Sequence, residues 1–331
     1  LFQKAKARWV LRGFQDKEKE NLQLDSPTST RLAFRLTCQL VANRGWDMVH
    51  AEMKTAFLQG EEYVGGKRDV VAQLPPEAGH PPYMGAVLVK PAYGLNDAPR
   101  MWWNRLDGFL HKEVKCVPTR ADRCCYVLYQ AKPTGKQNRA VAPAKDDRPA
   151  DWLEQAVDYI LDPITGSRAA HMSVLAVILI HDEDLLIAAN KVTTQNVMKI
   201  VRRHFKIGSE LVNAFTFTGQ RVEKKNGVVE VSQQKQIDEL HEVALPKRSA
   251  DKEKLTPTEH TEFRSVLGML NWLQSRTQFH MSYRFSRSAS AAASPTVGDA
   301  KLLNQTVGLL RGQSTEALLL AADRKNPCSR P

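Results

Sequence analysis

The stretch Met172–Ala189, MSVLAVILIHDEDLLIAA, constrains the fold more than any other. Two continuous apolar runs flank His181, Asp182, Glu183 and Asp184. Runs of this length, bounded by a polar turn, predict a strand, an acidic turn and a second strand, both strands buried. Like charges a few Å apart repel, so clustered carboxylates need cations, protonation or solvent to offset them. A bound divalent metal is one solution, because Mg²⁺ takes its oxygen ligands from one or two carboxylates plus substrate phosphates. Two such ions can clamp the attacking and leaving oxygens of a phosphoryl transfer. The other solution is an exposed hairpin tip whose acids are simply solvated, and the local pattern leaves both open. A metal site would draw a further acid from another strand. The candidate is Glu52, at the end of WDMVHAE.

A chain of 331 residues is too long for one small core, so two or three subdomains are expected. The formal net charge of +11 favours polyanionic partners, nucleic acid above all, over a neutral surface. Simple solubility is the alternative reading of the same charge. The five cysteines lack metal-binding spacing, and Cys124 and Cys125 are adjacent. They read as reduced thiols of an intracellular protein, cytoplasmic and nuclear locations being indistinguishable. No apolar run approaches the roughly 20 residues that span a bilayer, so no membrane partner is expected. The N-terminus has no initiator Met and no signal-peptide design, and the sequence reads as a fragment of something longer.

Along the chain, ARWVLRGF (7–14) reads as a short strand. SPTSTRLAFRLTCQLVANRG (26–45) reads as a helix capped by Ser26 or Thr28, with Leu32, Leu36 and Leu40 on one face. Residues 46–60 begin as a strand and turn into a short helix. A strand at 86–90 leads through a Gly/Pro turn to a helix carrying Trp102, Leu106 and Phe109. CCYVLY (124–129) is a strand. The Lys-, Pro- and Ala-rich segment from 131 to about 170 reads as a flexible insertion. After the acidic turn come a helix with Val197, Ile200, Val201 and Phe205 inward, and a hairpin turning at Asn226-Gly227. A helix with Phe263, Val266, Leu267 and Leu270 and a last helix at 297–310 follow. The tail 313–331 is expected to be disordered.

KARWVLRGFQ, AEMKTAFLQG, AYGLNDAPRMWW and HDEDLLIAA occur in the order found in the reverse transcriptases of copia-type LTR retrotransposons. FTGQRVEKKNGVVEVSQQKQIDEL and FRSVLGMLNWLQSRTQFHMSYRFSR continue the resemblance, which covers about residues 4–312. It implies an α+β fold of fingers, palm and thumb around a central antiparallel palm sheet. The expected division is 1–45 fingers, 46–190 palm with a fingers segment and the insertion, and 191–312 thumb or connection. By position, the resemblance implies that Glu52, Glu183 and Asp184 are the catalytic, metal-binding carboxylates, with Asp182 a further candidate ligand. It implies that Phe57 floors the nucleotide sugar and that Lys6 and Arg8 hold the triphosphate. Tyr93, Gly94 and Pro99 would form the turn that packs the templating base and the nucleotide. The implied cofactor is Mg²⁺ or Mn²⁺. The implied partners are a dNTP and an RNA or DNA template with its primer. Oligomeric state is not implied. Core packing is the plainer reading of Phe57 and Tyr93, and a solvated basic face that of Lys6 and Arg8.

The departures weigh on activity. The family's Asp has become Glu at 52 and at 183, each adding one C–C bond of about 1.5 Å. A displacement of about 1 Å in a catalytic site can cost about 100-fold in rate. Asn96-Asp97 stands where the family has Lys-Gln, and Gln278-Phe279-His280 replaces Arg-Pro-Asp. These are the marks of a degenerate copy. Two readings therefore stand: an impaired polymerase, and a catalytically dead nucleic-acid-binding remnant. A hydrolase built on the acidic cluster would need further His ligands in a clear motif, and the nine His are scattered.

Overall fold

The computed structural model describes residues 9–63, 68–131, 172–245, 250–312 and 317–322. The chain divides into two compact units. The first comprises Leu1–Thr37 and Trp46–Val212, the second Cys38–Gly45 and Asn213–Pro331. In chain order the main elements are α1 (Arg31–Arg44), β1 (Asp47–Met53), β2 (Val71–Gln73), β3 (Gly85–Val87), α2 (Ala98–Lys112), β4 (Val117–Pro118), β5 (Cys125–Ala131), β6 (Met172–His181), β7 (Asp184–Ala189) and α3 (Lys191–His204). They continue with β8 (Ile207–Val212), β9 (Ala214–Phe217), β10 (Gln220–Lys225), β11 (Val228–Ser232), α4 (Gln234–Glu239), α5 (Pro257–Arg276), α6 (Ser282–Ser290), α7 (Val297–Gly312) and β12 (Leu318–Leu320). This is a mixed α and β protein with antiparallel sheets, as the α+β expectation requires.

The first unit is built on a six-stranded sheet in the order β4-β5-β6-β7-β1-β8. The apolar runs of β6 and β7 pair with each other, Ile178 opposite Ile187 and Ile180 opposite Leu185. Strict alternation sends Val49, Ala51 and Met53 of β1 to the same face as Leu185 and Ile187. That face packs against Trp102, Leu106 and Phe109 of α2 and Val197, Met198 and Val201 of α3. Asn190 caps α3, its side chain accepting the Thr193 N–H. The inward set expected on this helix, Val197, Ile200, Val201 and Phe205, is buried.

The second unit holds a four-stranded sheet, β12-β11-β10-β9, and the helices α4 to α7. Asn226 and Gly227 both adopt positive φ, 52° and 79°, the conformation a two-residue hairpin turn demands. Phe263, Val266, Leu267 and Leu270 of α5 pack with Leu303, Val307 and Leu310 of α7, as their helical spacing predicts. A reciprocal Thr256–Glu259 capping box, followed by Pro257 at the first helical position, starts α5.

Several expectations are corrected. Residues 9–12 form no strand. Leu11 and Gly13 instead donate their N–H groups to the carbonyls of Tyr93 and Gly94, and a 3-10 turn follows at Gly13–Gln15. Neither Ser26 nor Thr28 starts α1. The helix begins at Arg31, and Thr30 accepts the Ala33 N–H through its hydroxyl. The face carrying Leu32 and Leu36 is exposed, and Ala33, Phe34, Thr37, Cys38 and Val41 are buried instead. The first compact unit continues past residue 190 to Val212, because α3 packs on its sheet and β8 extends it. Within the expected disordered tail, Leu318–Leu320 pairs with Val229–Val231 as an edge strand. The insertion, apart from Ala131 at the end of β5, lies outside the described residues.

Candidate functional site

The acidic turn joins β6 to β7 at one end of the six-stranded sheet, and β1 reaches the same end. Glu52 is the cross-strand partner of Asp184, so both side chains leave the sheet on one face. That face is the one opposite α2 and α3. Glu183 occupies the turn itself, and its carbonyl accepts the Met53 N–H at 2.9 Å. Asp182 precedes it in a left-handed conformation, φ 52°, which is costly for a residue with a Cβ. The Trp102 indole N–H, projecting from α2, holds the Asp182 carbonyl at 2.8 Å and so anchors the turn from below.

The carboxylates do not converge as completely as the backbone does. Asp184 Oδ1 lies 2.8 Å from His50 Nε2. Glu183 Oε1 accepts from the Tyr93 hydroxyl at 3.1 Å. Glu52 Oε2 accepts from the Ser209 hydroxyl at 3.2 Å. Each acid is thus bonded through one oxygen to a different element. Asp182 is exposed, with its carboxylate 3.9 Å from His181 Nε2. Its left-handed backbone breaks the alternation that would have put it on the Asp184 face.

The flanking residues divide in the same way. Phe57 sits in a 3-10 turn, Ala56–Gln59, with its ring 5.0 Å from that of Tyr93. Tyr93 therefore touches both Phe57 and Glu183. Gly94 adopts φ 93°, and a Cβ there would meet the Leu11 carbonyl at 2.0 Å, so only glycine suits this turn. Pro99 lies in the first turn of α2, its carbonyl accepting from Ser26. Lys6 and Arg8 lie outside the described residues. The exposed basic residues Lys199, Arg202 and Arg203 of α3 are on the helix-covered side of the sheet, away from Glu52 and Asp184.

Sequence reasoning missed four residues here. His50 and Ser209 share the Glu52 face, and His50 could have been found by counting two residues back along an alternating strand. Trp102 was expected only as core. Arg68, buried, pairs with Asp97 and Asp16, while the Tyr63 hydroxyl donates to Asp97 at 3.2 Å. Burial, reinforced by the charge of Asp97, pushes the Tyr63 hydroxyl well above its ordinary range. The pairing of Asp97 with Arg68 explains how a buried carboxylate is tolerated here.

Carboxylate oxygens are the right donors for Mg²⁺ or Mn²⁺, which need only one or two of them besides water and phosphate. Glu52 and Asp184, cross-strand partners on one face, are the two carboxylates that could hold such a cation. Among the described residues, no group of three or more His, Cys, Asp or Glu is assembled as a ready metal-binding set.

No protein-family profile matches the chain. Over 124 residues it is 30% identical to the "Retrovirus-related Pol polyprotein from transposon TNT 1-94" of Nicotiana tabacum, a match covering 37% of the chain and 9% of that protein. Over 323 residues it is 23% identical to the "Retrovirus-related Pol polyprotein from transposon RE1" of Arabidopsis thaliana, covering 95% of the chain and 19% of that protein. The chain thus matches well under a quarter of the length of these curated relatives. The distant similarity to Pol polyproteins of plant transposons points to a retrotransposon-derived protein.

Proposed function

We propose that the chain is the reverse transcriptase segment of a copia-type retrotransposon Pol polyprotein, in which the first unit is the palm with part of the fingers and the second unit holds the thumb. The observation that carries this reading is the pairing of Glu52 with Asp184, with Glu183 in the adjoining turn. Two motifs far apart in sequence supply these acids to one sheet end. The distant similarity to transposon Pol polyproteins supports the same reading.

In this reading a primer 3′-oxygen attacks the α-phosphorus of a dNTP, the bond to the β-phosphate oxygen breaks, and pyrophosphate leaves. Phe57 and Tyr93 pack against the nucleotide sugar and base. Tyr93 also donates to Glu183 and so ties the nucleotide floor to an acid. Gly94 lets the backbone approach closely, and Lys6 and Arg8 grip the triphosphate. Glu52 and Asp184 would hold Mg²⁺ or Mn²⁺, which supplies charge stabilisation for the oxygens that attack and leave. Template and primer are expected to bind through Lys and Arg side chains that neutralise their phosphates.

A second reading, a nucleic-acid-binding remnant without turnover, is favoured by one observation: the three carboxylates are engaged by three separate partners rather than gathered. The discriminating experiment pairs binding with extension on a primed RNA template. Both readings predict affinity that falls steeply with salt, because phosphate contacts release counterions. Extension that is lost in Asp184→Asn supports the polymerase. Salt-dependent binding without any extension supports the remnant. Binding unchanged between low and high salt contradicts both.

A further inference from the structure

We propose that His50 is a positioning residue: it holds one oxygen of Asp184 so that the other is presented to a divalent cation. This rests on the reading of Glu52 and Asp184 as the cation-binding pair. His50 lies on β1 two residues before Glu52 and therefore on the same face. Its own cross-strand partner is Leu186, which makes Asp184 its diagonal neighbour. The ring is buried, only 6% of the residue being exposed, and its Nε2 stands 2.8 Å from Asp184 Oδ1. Asp184 Oδ2 has no protein partner among the described residues.

The physical case rests on what Asp184 faces. Directly across the ladder stands Glu52, a like charge, and such pairs repel. Left alone, the Asp184 carboxylate would turn away from Glu52 into solvent. The bond from His50 draws Oδ1 back toward the sheet and fixes the plane of the group. A hydrogen bond in a buried setting is stronger than one in water. Tyr93 and Ser209 hold Glu183 and Glu52 likewise through one oxygen each, but both are only half-buried. Partners that orient a metal-binding carboxylate in this way typically contribute 10–100-fold to metal affinity. A histidine that merely fills space under the strand would contribute to stability alone.

Two measurements on the full chain, without nucleic acid, test the assignment. In protein labelled with ¹⁵N-histidine, Mg²⁺ should shift the His50 Nε2 resonance, and Asp184→Asn should abolish that shift. Free-Mn²⁺ electron paramagnetic resonance should show His50→Leu binding Mn²⁺ about 10–100-fold more weakly. His50→Gln, which keeps a donor, should recover most of the loss. In the Asp184→Asn background, His50→Leu should add nothing. Equal Mn²⁺ affinity in His50→Leu and the unaltered chain, an additive loss in the double variant, or a His50 resonance indifferent to Mg²⁺ would each overturn the proposal. If His50→Leu fails to fold, the resonance shift and His50→Gln still decide it. The polymerase reading fails separately: Mn²⁺ binding that depends on His50 in a chain that extends no primer refutes turnover and upholds the positioning role. Primer extension with His50-independent Mn²⁺ binding does the reverse.

Discussion

Removing Arg68 should be among the most damaging single changes in the first unit. Its side chain is 5% exposed and paired with Asp97, 7% exposed, and Asp16, 14% exposed. Arg68→Met leaves the Asp97 carboxylate buried with, among the described residues, only the Tyr63 hydroxyl as side-chain partner. Breaking one side of a buried pair costs about 3–5 kcal/mol, because the remaining charge is uncompensated. Asp97→Met should cost less, about 1.5–3 kcal/mol, since Arg68 keeps Asp16 and has Glu18 at 3.7 Å. The double variant removes both buried charges, and Asp16, the most exposed of the three, can hydrate. It should therefore cost about 1–3 kcal/mol less than the sum of the singles. The assay is native-state hydrogen exchange of the β6 and β7 amides with urea unfolding, which reports the first unit alone. Single costs that add to within about 0.5 kcal/mol of the double would refute the buried-pair argument.

Other outcomes follow from the same physics. Burial pushes the Cys38 and Cys124 thiols up to about 12, Cys125 to about 11, and Cys116 higher still. Folded values raised above the ordinary thiol range of about 8.5 mean that stability is full below that pH and declines as pH climbs toward the folded values. In a Cys328→Ser background, native protein should resist a thiol reagent at pH 8 and urea midpoints should drop between pH 9 and 11; prompt labelling of the native state would contradict this. Gly227→Ala, at φ 79° with open space around the new Cβ, should lower the stability of the second unit by about 1 kcal/mol for conformational reasons alone, read from a shift in its thermal midpoint.

The parts legible in the sequence are those where one local signal dominates. The apolar runs around the acidic turn gave β6 and β7, the helical spacing of Phe263, Val266, Leu267 and Leu270 gave α5, and Asn226-Gly227 gave its hairpin. The strand expected at 7–14 is absent over 9–14, where Leu11 and Gly13 bond to a turn rather than to another strand. The Leu32 and Leu36 face of α1 misled because helical spacing identifies a stripe, not which stripe is covered. Around the acids, the positions of Glu52, Glu183 and Asp184 at one sheet end could be anticipated from motif order. Of the side chains that hold them, His50 follows from the alternation of β1, whereas Tyr93 and Ser209 meet the acids only through a long-range turn and cross-strand register.

The most direct test of the account restores the shorter acids. Glu52→Asp and Glu183→Asp, singly and together, should be compared with the unaltered chain in primer extension on a primed RNA template, with Mg²⁺ and with Mn²⁺. Each Glu reaches about 1.5 Å further than the residue expected in its place, and Mg²⁺ tolerates distorted coordination poorly. The unaltered chain should extend little or not at all, and better with Mn²⁺ than with Mg²⁺. The double reversion should gain more than the two single gains combined, because both acids serve one site. If the unaltered chain extends primers as well as the double revertant, carboxylate geometry does not limit this protein and the account of the site is wrong.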